Sequence, residues 1–221
     1  MAKVESPNNK EIPKPGSNFM PKISGFLQKI FGMSKFILGI CLLPFVYTAS
    51  VAFLVELSSI DEDPQTYFWL GVISMLIVYL FIWEPAVIYA RGQKLVEVVF
   101  NFLKPLVRIA PYVLPIYTIV IFFVYLIIAP LFELTNYFIF LFGLSITLHL
   151  IFTARSMRSK KEDLLKGNYI FGFSLIYIIN LAVLSFCFST IFEKFSFVNF
   201  CNESYQIAKS IFEAVIKQLF L

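Results

Sequence analysis

Histidine occurs once in this chain, at position 149, cysteine three times, and charged residues make up only 14% of the 221 positions. Each scarcity removes a class of function. A catalytic zinc site usually takes three protein ligands and commonly two histidines, so a single histidine does not build one. Cys41, Cys187 and Cys201 form no CxxC pair and no Cys/His cluster, which argues against a zinc knuckle or a disulfide framework. Soluble domains carry about 25% charged residues, and the stretches between apolar runs here are too short to fold alone. No paired acidic motif, Ser/His/Asp set or phosphate-cradling glycine loop is present, so neither cofactor nor metal is implied. No GxxxG pair occurs either, which removes the usual signature of transmembrane helix dimerisation.

Long apolar runs dominate what is present. Hydrophobic residues make up 59% of the chain, and phenylalanine alone contributes 27 residues, which read as lipid-facing and packing surface. Phe36 to Leu57, Tyr67 to Ala90, Ile109 to Phe132, Leu134 to Phe152 and Tyr169 to Phe192 each approach or exceed the roughly 20 residues needed to cross a hydrocarbon core. Backbone in lipid must satisfy its own hydrogen bonds, so such runs become helices. The expected fold is an all-α polytopic bundle of five spans.

Charge sets the expected orientation. The tail carries Lys3, Lys10, Lys14, Lys22, Lys29 and Lys35, whereas the first connection holds only Asp61, Glu62 and Asp63. Basic residues return at Arg91, Lys94, Lys104 and Arg108 and again from Arg155 to Lys166. Alternation of this kind places the N-terminus in the cytosol, and the net charge of +4 reads as topogenic rather than as a nucleic-acid footprint. No apolar stretch with a small-residue cleavage site precedes the first run, so that run should act as an uncleaved insertion signal. Residues 1–35 read as a largely flexible tail with a short amphipathic stretch from Ile23 to Met33. Residues 36–192 form the membrane domain, and residues 193–221 an extracytoplasmic segment. Within the last, Ile207, Ile211, Phe212, Val215, Ile216, Leu219 and Phe220 recur at helical spacing with Lys209, Glu213 and Lys217 on other faces. That pattern predicts an amphipathic helix from Ser204 onward, packed on the bundle or the lipid interface. Asn202-Glu203-Ser204 fits a glycosylation acceptor, relevant only in a eukaryotic secretory membrane.

Polar groups inside spans are costly and are functional candidates by default. Glu84 lies in Trp83-Glu84-Pro85, His149 toward the cytoplasmic end of the fourth span, and Asn180 in the middle of the fifth. Topology puts Glu84 and His149 in the same leaflet, where they can form a proton-sensitive pair. A structural clamp or a histidine snorkelling to the interface is the plainer reading. Asn180 reads first as helix–helix glue.

After Pro85 the chain runs Tyr89-Ala-Arg91-Gly92-Gln93-Lys94-Leu95-Val96-Glu97. This frame resembles the helix of site-2-type intramembrane zinc metalloproteases, where a glycine precedes His-Glu-x-x-His. Segments around Pro111 to Thr118, His149 and Asp163 to Gly167 are similar to other stretches of that group, so the resemblance covers about Phe68 to Leu184. It implies a cytoplasm-facing site within the bilayer and a bacterial inner membrane. The motif positions here are Gln93, Lys94 and Glu97, a remnant without the imidazoles and without the general base. Arg91 to Arg108 also reads as an amphipathic helix offered to anionic headgroups.

The expected function is therefore that of a non-catalytic integral membrane protein, a pseudoprotease-like scaffold binding membrane partners, with lipid, a second membrane protein or a homo-oligomer as partners. The alternative is a small transporter or channel subunit using Glu84, His149 and Asn180.

Overall fold

A computed structural model of the chain describes residues 19–81, 113–128, 132, 134–158 and 167–220. These residues form six helices with no strand among them: α1 (Phe19–Ser58), α2 (Glu62–Phe81), α3 (Ile116–Ile128), α4 (Thr135–Arg158), α5 (Gly167–Ile191) and α6 (Phe197–Phe220). The expected all-α class is borne out. Four helical segments are long and apolar enough to cross a membrane, at Ile30–Ser58, Glu62–Phe81, Thr135–Met157 and Tyr169–Ile191. The third expected span is described as the shorter apolar helix Ile116–Ile128, only about 20 Å long at 1.5 Å per residue. Pro115 sets its start: the Pro115 carbonyl accepts the Ile119 N–H at 3.0 Å, while the ring nitrogen has no proton to extend the helix backward.

Two further boundaries differ from the sequence reading. The stretch Ile23 to Met33 and the first span are one continuous helix of 40 residues, not an interfacial piece followed by a span. The terminal helix begins at Phe197 rather than Ser204. Ser196 caps it, its Oγ accepting the Asn199 N–H at 3.2 Å, and the carboxylate of Glu56 on α1 accepts the Ser196 N–H at 2.7 Å. In a capping box the second acceptor comes from the helix's own third residue. Here it comes from another helix, so the local pattern did not reveal it.

Helix directions follow from the contacts. Ser50 meets the Tyr177 hydroxyl at 2.9 Å and the Phe53 and Phe188 rings lie 6.0 Å apart, so α1 and α5 run parallel. Tyr67 lies against Tyr137, and Met75 shares a cluster with Leu148, so α2 and α4 are parallel too. Thr118 opposite Ser145 and Tyr125 opposite Phe138 make α3 antiparallel to α4. Glu56 at Ser196 and Phe45 at Phe212 make α6 antiparallel to α1. The turn joining α1 to α2 and the turn joining α5 to α6 therefore meet at one end. There Lys194 pairs with Asp61 at 2.6 Å, and the Ser59 hydroxyl donates to the Lys194 carbonyl at 2.9 Å.

An aromatic core sits near that end. Phe188, fully buried, has ring neighbours at Phe53 on α1, Phe68 on α2, Phe142 on α4 and Phe195 in the last turn. Edge-on and tilted rings at such spacings are favourable. Elsewhere the surface is apolar: Leu80 is 73% exposed, Phe81 80% and Ile127 71%. Exposed apolar surface on this scale marks a membrane or partner interface, and together with the four long apolar helices it identifies an integral membrane protein.

Candidate functional site

Polar side chains are drawn inward, and several gather at one level of the bundle. His149 on α4 is fully buried, as are Thr118, Thr153 and Ser185, and Asn180 is 1% exposed. The histidine therefore does not snorkel to an interface. Asn180 Nδ2 donates to the Ile176 carbonyl at 2.6 Å and, more weakly, to the Val113 carbonyl just before α3 at 3.4 Å. Its Oδ1 is buried with no hydrogen-bond partner. With Phe142 packed on Phe188, the antiparallel register of α4 and α5 sets Asn180 opposite the turn that carries His149. One turn away, Thr118 and Ser145 share a hydrogen bond of 2.8 Å between α3 and α4.

Three helices thus contribute to a buried polar layer of His149, Asn180, Thr118 and Ser145. In hydrocarbon such groups find partners across helices, each bond worth roughly 0.6 kcal/mol on average. The Asn180 amide nitrogen is used mainly within its own helix, at the Ile176 carbonyl, while its oxygen remains an acceptor available to a proton donor. Chemically the layer can bind a small polar group or hold a water.

The remaining sequence candidates, Glu84 and the motif remnant Gln93, Lys94 and Glu97, lie outside the described residues. Among the described residues, no three His, Cys, Asp or Glu side chains gather as metal ligands.

Three features escaped the sequence reading. Glu56 is 6% exposed at the end of an apolar run, and its partner is 140 positions away. Thr118 and Ser145 are hydroxyls common in any apolar helix. Gly71 and Gly143 are the third: a methyl group at Gly71 would overlap the Phe140 carbonyl oxygen, and one at Gly143 that of Phe68. The two glycines form a reciprocal close crossing of α2 and α4, a small-residue contact of the kind membrane helices use. No motif encodes it, because each helix supplies one glycine. Gly39 makes a similar contact with α5 at Phe171, whereas Gly32, one heptad earlier, faces open space.

No protein family, curated protein or solved structure matches this chain.

Proposed function

We propose that the protein is a non-catalytic membrane scaffold that binds other membrane-embedded helices. The carrying observation is the placement of α6. It runs beside α1 from Glu56 to Phe45, yet turns exposed Gln206, Lys209, Glu213 and Lys217 outward. Lipid chains satisfy none of these groups, and a charged side chain at the centre of a span costs roughly 2.5–3.5 kcal/mol. A protein partner removes that cost.

The resemblance of Gly92 to Glu97 to a metalloprotease helix belongs to the same reading. Glutamine and lysine in place of imidazole and carboxylate remove the zinc ligands and the general base that such a helix would use, which suits binding a helix rather than cutting it. We further place the N-terminus in the cytosol, in a bacterial inner membrane. Supporting the orientation, Asp61, Glu62, Asp63 and Glu193 sit at the end where the α1–α2 and α5–α6 turns meet, and the basic Lys35 and Arg155 lie toward the other.

A photo-crosslinking residue at Gln206 in native membranes tests the reading. Protein adducts are expected there, and lipid adducts from the same probe at Leu80. Lipid adducts alone at both positions would refute the scaffold. The second reading, a small transporter, draws on the unpartnered Oδ1 of Asn180 level with His149. Proton or ion flux into liposomes that is abolished by His149→Ala would favour it over the scaffold.

A further inference from the structure

The outward face of α6 has an internal order that narrows its occupant. Asn202, Gln206, Lys209 and Glu213 follow one another at spacings of four, three and four, and all are exposed. Such spacing draws a single stripe of heptad type along a helix. It lies opposite the face that packs on the bundle, where Phe200 and Ala208 are buried. The stripe is also deep. The polar boundary is marked by Glu62 and Asp63 in the first turn of α2, and α6 begins beside Glu56. Lys209 lies about 18 Å along α6 from Phe197 and Glu213 about 24 Å, which sets Lys209 in the inner part of a hydrocarbon core about 30 Å thick and Glu213 nearer its far side. Their mutual distance of 3.9 Å, with lysine N-terminal to glutamate, is the weaker order for a pair within one helix. Both groups retain capacity for a partner.

We propose that the occupant is a second copy of this chain, paired through α6. This rests on the scaffold reading and names its partner. Two copies inserted in the same sense are related by a two-fold axis along the membrane normal, which sets their α6 helices parallel and the contact isologous. In that arrangement Lys209 of each copy reaches Glu213 of the other. Asn202 and Gln206 face their own symmetry mates, and an amide, being both donor and acceptor, pairs with itself. The stripe is therefore complementary to itself in hydrogen bonding and in charge. A lipid tail offers neither.

The test uses the full chain in lipid nanodiscs with Cys41→Ser and Cys201→Ser, leaving buried Cys187. Gln206→Cys should crosslink two copies under mild oxidation, and Trp69→Cys, on the exposed side of α2, should not. Lys209→Glu or Glu213→Lys alone should reduce the crosslinked yield about tenfold through like-charge contacts. The double exchange should restore it, which also shows that the single variants were folded. One copy per disc with no Gln206→Cys crosslink overturns self-pairing. If photo-crosslinking at Gln206 in cells then yields adducts of a different protein, the scaffold survives and only the identity of its partner falls. Lipid adducts alone overturn both.

Discussion

Asn180 shows how one side chain serves structure and leaves chemistry over. Its amide nitrogen bonds the Ile176 carbonyl of its own helix, a bond that adds little to a helix already satisfied, and its oxygen is buried without a partner. Gain and cost nearly cancel, so Asn180→Ala should change the midpoint of thermal unfolding in detergent little, a shift of about 1 kcal/mol or less. Glu56 is the opposite case. Its carboxylate accepts the Ser196 N–H at 2.7 Å, and truncation leaves a half-buried donor unmet. Glu56→Ala should cost about 1–3 kcal/mol and speed tryptic cleavage after Lys194 in the adjoining turn. Glu56→Gln keeps an acceptor and should restore most of the resistance. Their position inside long apolar runs made Asn180 and His149 legible as candidates from sequence. Glu56 was not legible, because its use depends on a turn far along the chain.

Among the helices, α2 and α4 make the closest approach. Backbone meets backbone at Gly71 and Gly143, where no side-chain rotation can make room for a methyl group. Gly143→Ala should separate the pair and lower thermal stability by several degrees in a detergent melting assay. Gly32→Ala, with nothing within 4 Å, should be neutral or stabilising by about 0.5–1 kcal/mol, the ordinary helix preference for alanine. Both are lone glycines in apolar helices, and only the partner helix distinguishes them. The same holds for α6. Its amphipathic pattern is plain in Ile207 to Phe220, but its start at Phe197 and its course along α1 follow from Ser196, Glu56 and Phe212 acting together.

At the scale of the molecule, Phe188 ties α1, α2 and α4 to α5 through one buried ring. Phe188→Ala should cost about 3 kcal/mol, the low end for a buried phenylalanine, because lipid solvates apolar side chains and the loss is mainly packing. Chemical denaturation in mixed micelles measures it. Orientation is checked separately. In a cysteine-free background, a membrane-impermeant maleimide applied to intact cells should label Asp61→Cys and Glu193→Cys and spare Arg155→Cys. The reverse pattern would invert the proposed topology.

The sequence by itself determined the membrane class and the helices. Apolar length and the backbone's need for hydrogen bonds in lipid are local properties, readable from any run such as Tyr169 to Phe192. It also determined where costly polar groups fall, since His149 and Asn180 are conspicuous against apolar neighbours. Tertiary structure alone decided which helices touch, that Gly71 meets Gly143, that Glu56 caps α6, and that Asn180 stands level with His149. These depend on pairwise register between distant segments, and in a uniformly apolar environment no periodic pattern announces that register.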